Sequence, residues 1–166
     1  MLKRIARLRV PLGFAFGLLA IWLAHPSART LWMGAVVALV GEAIRIWAAG
    51  HLEKGREVTA SGPYAWTRHP LYVGSTLIGA GLAIAAASLV VAAIVLGYLA
   101  VTVTAAIRTE ESHLTEKFGA AYPEYRAGRH SVRRRFSLER AMRNREYRAA
   151  LGVLIVLGVL WWKALA

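Results

Sequence analysis

Apolar and polar residues divide the chain into long blocks, and five of these blocks are almost wholly apolar. A membrane-spanning helix needs about 20 apolar residues, within a range of about 17–25. The pattern therefore predicts about five transmembrane helices, of which the first and last are short and need flanking Arg, Lys and Trp side chains to extend them. The five segments are Val10 to Ala24, Leu31 to Ala49, Leu71 to Ala87, Ser88 to Ile107 and Ala149 to Trp162.

No charged residue interrupts the third and fourth segments, which together cover residues 71–107. As one helix they would extend about 55 Å at about 1.5 Å per residue, whereas the apolar core of a bilayer is about 30 Å thick. The chain must therefore fold back, and the small residues from Ala85 to Ser88 mark the predicted turn of a tight helical hairpin. Its first arm carries three glycines that allow close helix packing: Gly74, Gly79 and Gly81.

Composition agrees with a single membrane domain over residues 1–166, because 57% of the residues are hydrophobic and the mean hydropathy is +0.46. The formal net charge is +12. Basic residues concentrate beside the apolar segments, which is typical of cytoplasmic loops that meet anionic lipid headgroups. We therefore expect anionic lipids as partners and no nucleic acid. The basic residues from Lys3 to Arg9 before the first segment predict a retained signal anchor.

The distribution of Arg and Lys also predicts the orientation. Basic residues are frequent at the N-terminus and in the polar segments 50–70 and 108–148, against only Arg29 and Lys163 on the other side. We expect an integral protein of the cytoplasmic membrane whose N-terminus and both polar segments lie in the cytoplasm.

The segment from Gly62 to Gly74 combines turn residues with arginine, histidine and tyrosine at the start of the third apolar segment. Proline is favoured at the first position of a helix, so Pro70 predicts a helix start with Arg68 and His69 at its electropositive end. An anionic group of a ligand is expected there.

Two adjacent carboxylates, Glu110 and Glu111, follow the fourth apolar segment. Taken alone, they are typical of acidic residues at the membrane interface. The hairpin, however, returns the chain to the same membrane face and brings them near Arg68 and His69. A pocket with both charges suits a zwitterion, whose carboxylate meets the helix start and whose ammonium or ribose hydroxyls meet Glu110.

In this order, the motifs resemble the superfamily of isoprenylcysteine carboxyl methyltransferases and phospholipid methyltransferases. The resemblance covers about Gly41 to Arg135. It rests on Gly62-Pro63-Tyr64, Arg68-His69-Pro70-Leu71-Tyr72-Val73-Gly74, Glu110-Glu111, Leu114, Phe118-Gly119, Tyr122 and Tyr125. It implies an all-α, polytopic integral membrane enzyme that binds S-adenosylmethionine in a cytoplasmic region formed by segments 50–70 and 108–148. A lipophilic acceptor, either a phospholipid amine or an isoprenylcysteine-like carboxylate, would enter from the bilayer.

The resemblance also implies the site residues. A carboxylate acceptor needs no base, whereas an amine acceptor must lose a proton, for which Glu111 and His113 are candidates. The arginine associated with the prenylcysteine substrate in the eukaryotic carboxyl methyltransferases aligns with Ala106 here, and Arg108 is the candidate substitute. The implied cofactor-binding residues are Val58, Tyr64, Arg68, His69, Pro70, Leu71, Tyr72, Gly74 and Glu110.

Several other residues admit two interpretations. Glu42 and Arg45 in the second segment favour a structural ion pair within one helix turn, although charges inside a membrane are usually functional. Arg133 to Arg135 favour contact with lipid phosphates. Tyr122 and Tyr125 either anchor at the interface or pack an amphipathic helix over the site. The five histidines have no metal-ligand spacing, so no metal site is predicted.

Two other functions remain open at this stage. A membrane reductase related to sterol reductases would bind a nicotinamide cofactor. A non-enzymatic lipid-binding membrane protein would use the basic face alone.

Overall fold

The structure, a computed structural model, describes residue 13, residues 15–129 and residues 134–166. In this part of the chain every regular element is helical. Three helices are long and apolar enough to cross a membrane, so the protein is an all-helical integral membrane protein. These are α2, Ala28–His51; α4, Leu89–Phe118; and α7, Tyr147–Leu165.

Two further apolar helices accompany them. Residues 15–23 form the described part of α1, and α3 covers Pro70–Ala86, 17 residues. The predicted signal anchor at Lys3 to Arg9 lies outside the described residues. The short elements are a 3-10 turn at Gly62–Ala65, α5 at Ala121–Arg126 and α6 at Leu138–Arg143.

The predicted hairpin is confirmed. Helix α3 ends at Ala86, and Ala87 adopts a left-handed conformation with φ 51°. Its N–H group donates to the carbonyl oxygen of Ile84 at 3.1 Å. Ser88 then caps α4, because its side chain accepts from the N–H of Val91 at 3.4 Å. The reversal therefore takes two residues between the helices.

The three glycines of α3 all lie at close helix contacts, and two of them face α2. A Cβ on Gly74 would meet the carbonyl oxygen of Gly41, and one on Gly81 would meet that of Gly34, both on α2. Only Gly79 lies against α4, where it contacts Leu99. The prediction of close helix packing is thus confirmed for all three glycines, and the closest backbone approach is between α3 and α2, because the small residues of α2 face α3.

Helix α4 is longer than the bilayer requires. Its 30 residues extend about 45 Å, against an apolar core about 30 Å thick. Its apolar part ends at Ile107, so the charged turns from Arg108 to Phe118 project beyond the membrane. This projection carries the two adjacent carboxylates to the level of the loop before α3.

The opposite end of the bundle holds the apolar core, formed by Ala24, Leu31, Ala85, Ala86, Val91 and Leu160. There Lys163 donates from Nζ to the carbonyl oxygens of Ile21 and Trp22, at 2.8 and 2.7 Å. These carbonyls belong to the last turn of α1, where that of Ile21 also accepts from the N–H of Ala24 at 3.4 Å. The polar segments 50–70 and 108–148 lie at the other end of the bundle, and the candidate site is formed there.

Candidate functional site

The site begins at the start of α3. Pro70 is the first residue of the helix and His69 is its N-cap, and no side chain caps the first turn. The preceding 3-10 turn brings the chain to this point with Pro63 and Tyr64 buried. Pro70 has no N–H group, and the N–H groups of Tyr72 and Val73 donate to the carbonyl oxygen of His69. The partial positive charge of the helix start is therefore the feature that favours an anionic group of a ligand.

Glu111 of α4 joins this start to the hairpin's second arm. Its Oε1 atom lies 3.2 Å from Nη1 of Arg68 and 3.2 Å from Nε2 of His69. The same oxygen accepts from the hydroxyl of Tyr122 at 3.3 Å. The predicted proximity of the two motifs is therefore confirmed, and it is centred on the second carboxylate of the pair.

The electrostatics of Glu111 argue against a role as proton acceptor. The hydrogen bond from His69 holds the pKa of this carboxyl below its usual value, and Arg68 acts in the same direction. Burial raises the pKa of Tyr122 to about 12, so this phenol stays protonated and donates. A carboxylate of lowered pKa is a weak base. Its three donors instead make Glu111 the anchor of the network.

Glu110 is the freer carboxylate. Its side chain is 44% exposed, against 26% for Glu111, and its ion pair is a long one with Nδ1 of His69 at 3.9 Å. Its oxygens can therefore accept from a ligand. The cluster thus contains one carboxylate, Glu111, whose contacts are within the protein, and a second, Glu110, that can bind a ligand.

Tyr64 forms the buried wall of this site. Burial raises the pKa of its phenol, with a further contribution from the nearby Glu110, so the hydroxyl stays neutral. Its main-chain carbonyl oxygen accepts from the hydroxyl of Tyr125 at 2.7 Å. The short helix α5 is therefore fixed over the 3-10 turn at one end and, through Tyr122, to Glu111 at the other.

These contacts favour one of the two interpretations of the tyrosines. Tyr122 is only 1% exposed, and its ring lies 6.1 Å from that of Tyr125 between centroids. A buried ring does not anchor at a lipid interface, so α5 packs over the site. The spacing of the two tyrosines in the motif is consistent with a helix packed over the site, but the same spacing also fits anchoring at the interface.

The remaining predicted cofactor-binding residues occupy different places. The ring of Tyr72 lies 5.9 Å from that of His69, and Val58 is buried in the loop before the 3-10 turn. The carbonyl oxygen of Leu71 accepts from Nη1 of Arg45 at 3.4 Å. Gly74 contacts α2, which confirms its predicted role in close helix packing, and its role in cofactor binding stays a prediction.

Arg108 and His113, predicted as catalytic candidates, are exposed on the projecting end of α4. Within the described chain, no hydrogen bond or ion pair joins either side chain to the Glu111 network. His113 lies two positions after Glu111 and therefore points to another side of α4, whereas Arg108 lies one turn before Glu111 but its side chain is exposed. Neither residue belongs to the network as the structure has it.

Arg45 makes the predicted contact within α2 and a closer contact outside it. Its Nε atom lies 3.9 Å from Glu42 in its own helix but 2.6 Å from Glu146, just before α7. Its Nη1 atom donates to Ser75 of α3. The predicted pair within one turn is therefore the weaker contact, because a residue 101 positions away supplies a better acceptor. Neither carboxylate oxygen of the buried Glu42 has a hydrogen-bond partner in the described structure.

The sequence reasoning missed the cluster around Glu53, in the loop after α2. Arg140 donates from Nε to its carboxylate at 2.7 Å and Arg143 from Nη2 at 3.1 Å. Arg134 pairs with Glu57 at 2.8 Å. Arg134 thus has carboxylate partners within the protein, and the expected contact of Arg133 to Arg135 with lipid phosphates stays a prediction, with Arg133 outside the described residues.

This cluster ties the segment before α7 to the end of α2. Asn144 donates to the carbonyl oxygens of Ala49 and Leu52, each at 2.9 Å, and the ring of Phe136 fills the space beside Gly50. The loop after α2, which leads into the site, is therefore fixed on its other side by the segment before α7. Among the described residues, no group of three or more His, Asp or Glu side chains could hold a metal ion.

Comparison with known proteins gives a family and two relatives. The family model described as phospholipid methyltransferase matches residues 32–121, more than half of the chain. The cobalt-zinc-cadmium resistance protein CzcN of Cupriavidus metallidurans is 37% identical over 63% of this chain and 46% of its own length. The nickel-cobalt-cadmium resistance protein NccN of Alcaligenes xylosoxydans xylosoxydans is 32% identical over 58% of this chain and 45% of its own length.

The chain thus matches about half the length of each of these curated relatives. No solved structure matches it. The matched region contains the start of α3, the hairpin and Glu111, and it ends at the first residue of α5.

Proposed function

The chain belongs to the phospholipid methyltransferase family, and from this premise we propose that it is a methyltransferase that uses S-adenosylmethionine and modifies a lipophilic acceptor at the membrane. The observation that supports the proposal is the contact of Arg68 and His69 with Glu111. It joins the two halves of the family motif into one polar site where the bundle leaves the membrane. Water-soluble and lipid-soluble reactants can meet at such a boundary.

The polar groups of the site fit a zwitterionic amino-acid ligand. The uncapped start of α3, with Arg68 beside it, suits the carboxylate of the cofactor. Glu110 suits its ammonium group or the ribose hydroxyls. Tyr64 and Tyr72 offer aromatic surface next to these charges. When bound, the cofactor supplies an electrophilic methyl group on a sulfonium.

The protein's own contribution is alignment and exclusion of water, which methyl transfer between two positioned reactants chiefly needs. Glu111 fixes the orientation of His69 and Arg68, so the start of α3 keeps its geometry. Helix α5 covers the 3-10 turn through Tyr125. None of these steps requires a side chain to change its charge.

The orientation and the lipid contacts belong to the same proposal. The site faces the cytoplasm, where the cofactor is found, and the acceptor arrives laterally from the bilayer. The arginines that the Glu53 cluster does not use remain available to anionic lipid headgroups. The exposed members of this set in the two polar segments include Arg56, Arg126, Arg129, Arg135, Arg145 and Arg148.

The names of the two relatives concern resistance to metals and specify no reaction. The two other functions considered from the sequence differ in their ligands. A reductase would bind a nicotinamide cofactor at this site. A lipid-binding protein without activity would bind neither cofactor.

Calorimetry with purified protein in detergent tests the cofactor site, with S-adenosylhomocysteine, the demethylated product, as the probe. We expect binding to the wild type, and loss of more than about tenfold in affinity, or about 1.4 kcal/mol, for His69→Ala and for Glu110→Ala. Arg135→Ala, an exposed arginine on the same side, should bind as the wild type does. Folded wild-type protein that binds no probe, or that binds nicotinamide cofactors instead, contradicts the proposal.

Mass spectrometry of bilayer lipids incubated with the protein and an isotopically labelled methyl donor identifies the acceptor class. We expect label in a lipid-soluble product with the wild type and none with His69→Ala. Absence of label from every lipid extract, while the probe still binds, would restrict the proposal to cofactor binding.

A further inference from the structure

The short helix α6 has an apolar face that the described part of the protein leaves open. Leu138 and Met142 lie four positions apart on one side of the helix, and they are 63% and 51% exposed. Phe136, just before the helix, is 46% exposed, although part of its ring packs beside Gly50. Large apolar side chains that cluster on a surface indicate contact with a partner or with a membrane.

The other face of α6 is polar and packs on the protein. Arg140 and Arg143, three positions apart, both donate to Glu53 in the loop after α2, at 2.7 and 3.1 Å. Ala141, between them, is only 2% exposed. A surface helix in water turns its apolar face inward and its charges outward. Helix α6 has the reverse arrangement, which suits a helix whose outer side meets lipid.

Two membrane helices set the depth of the apolar face. The N–H of Ser137 donates to the carbonyl oxygen of Gly50 at 3.1 Å, so α6 starts beside the last turn of α2. Helix α7 begins at Tyr147, shortly after α6 ends at Arg143. Both α2 and α7 are long and apolar enough to cross a membrane. An apolar face at the level of their ends lies where amphipathic helices insert between headgroups and acyl chains.

Arginines beside this face supply charge for lipid headgroups. The segment 134–148 contains six arginines and two glutamates. Three of these arginines are exposed, and the ion pairs in the described part of the chain do not include them: Arg135, Arg145 and Arg148. Guanidinium groups donate to phosphate oxygens, and basic residues near a membrane surface are attracted to anionic lipids. The charge and the apolar exposure therefore indicate the same partner.

The same segment supports the loop that leads into the candidate cofactor site. Glu53, which α6 holds, donates from its N–H to Oγ1 of Thr59 at 3.1 Å. The ring of His51 lies 6.0 Å from that of Phe136 between centroids, and a Cβ on Gly62 would come within 2.7 Å of it. Gly62 is the first residue of the 3-10 turn that forms the wall of the site. Both ends of the loop are thus in contact with residues that the α6 segment fixes.

We propose that segment 135–148 docks in the interface of a membrane that contains anionic phospholipids, and that its docking strengthens the cofactor site through Glu53 and His51. The apolar face enters the interface, and the three exposed arginines bind headgroup phosphates. A lipid that binds only the docked segment favours the state in which the loop is fixed. The effect on the cofactor site rests on the proposed function, whereas the docking does not.

Spin labelling tests the docking. The chain contains no cysteine, so Met142→Cys places a single nitroxide on the apolar face, and Glu116→Cys places one on the exposed, projecting end of α4. In nanodiscs that contain phosphatidylglycerol, we expect the first label to be relaxed by oxygen and protected from a water-soluble nickel chelate. The second label should respond in the opposite way. Equal access of the chelate to both labels overturns the proposal.

Calorimetry in nanodiscs tests the effect on the site, with S-adenosylhomocysteine as the probe. We expect phosphatidylglycerol to raise the affinity of the wild type at least about fivefold over phosphatidylcholine alone, and the gain to shrink at high salt. The triple variant Arg135→Gln, Arg145→Gln, Arg148→Gln should bind as the wild type does in phosphatidylcholine and show no gain. Arg29→Gln, the same change on an exposed arginine at the opposite end of the bundle, should keep the gain.

The outcomes separate this inference from the proposed function. Wild-type protein that binds no probe in either lipid refutes the cofactor assignment, while the two labels still decide the docking. Equal affinity in the two lipids, or a gain that survives in the triple variant, overturns the effect of docking on the site. Inorganic phosphate added to phosphatidylcholine nanodiscs should give no gain, and a gain there rejects a lipid as the occupant.

Discussion

Tyr125 donates its hydroxyl to the main-chain carbonyl oxygen of Tyr64 at 2.7 Å. The bond crosses 61 positions of sequence and joins α5 to the 3-10 turn that forms the buried wall of the site. This bond holds one side of α5 over the site, and the bond from Tyr122 to Glu111 holds the other. The candidate site is therefore covered by a helix that the family match reaches only at its first residue.

Replacement of Tyr125 by Phe removes this bond and keeps the ring. A hydrogen bond of this kind contributes about 1 kcal/mol net, so we expect affinity for S-adenosylhomocysteine to fall by about fivefold. Calorimetry measures the change. Tyr147→Phe, on an exposed tyrosine at the start of α7, is the matched control and should have no effect. An unchanged affinity in Tyr125→Phe shows that α5 does not close the site.

The two adjacent carboxylates should differ in their roles. Glu111 accepts from Arg68, His69 and Tyr122, so Glu111→Gln should lower both thermal stability and cofactor affinity. Glu110 makes one long contact, so Glu110→Gln should keep the wild-type melting temperature and lose affinity only. Thermal unfolding and calorimetry on the same samples distinguish the two. A stability loss that is equal in both variants contradicts the division between anchor and ligand-binding group.

The Glu53 cluster predicts a dependence of stability on pH. Hydrogen bonding from Arg140 holds the pKa of Glu53 below its ordinary value of 4.5. A lowered pKa in the folded state gives a stabilisation that is complete above the unfolded pKa and is lost as the pH falls through the folded one. Glu53→Gln should therefore melt at a lower temperature than the wild type at pH 6, and the difference should shrink below about pH 4.5.

Melting curves of both proteins between pH 6 and about pH 3.5 check this expectation. Glu139→Gln serves as the control, because that carboxylate is exposed. A difference between Glu53→Gln and the wild type that grows at acid pH has the wrong sign and rejects the role of the cluster.

Helix contact between α2 and α3 predicts a contrast between two glycines. A Cβ on Gly41 would lie 2.7 Å from the carbonyl oxygen of Gly74, whereas one on Gly97 of α4 meets nothing within 4 Å. Gly41→Ala should therefore destabilise by about 1–3 kcal/mol through overpacking. Gly97→Ala should be neutral or stabilise by about 0.5–1 kcal/mol through helix propensity. Thermal unfolding in one detergent compares them, and equal effects would show that α2 and α3 pack less closely.

Much of the architecture follows from local sequence. The hairpin follows from an uncharged run too long for one crossing, and its turn lies at the small residues where the structure has Ala87 and Ser88. The start of α3 follows from Pro70. The approach of Glu110 and Glu111 to Arg68 and His69 then follows from the hairpin alone. These features can be predicted from the sequence because each depends on residues that are close together in the chain.

Other features depend on which faces of the helices meet. Arg45 had an acidic residue one turn away, yet it pairs with Glu146, because α7 reaches α2 only in the folded bundle. Gly74 belongs to a motif of site residues, yet it faces Gly41. The sequence pattern indicates a basic surface at Arg134, Arg140 and Arg143, whereas in the fold these residues form ion pairs with Glu53 and Glu57.

The sequence by itself determined the membrane class, the hairpin and the residues that meet at its open end, because hydrophobic length and charge position act over short distances. The tertiary structure decided the partners of Arg45, the position of α5 and the burial of Glu42 without a hydrogen bond. These depend on helix rotation and on contacts between distant segments, and neither is encoded in the spacing of any one motif.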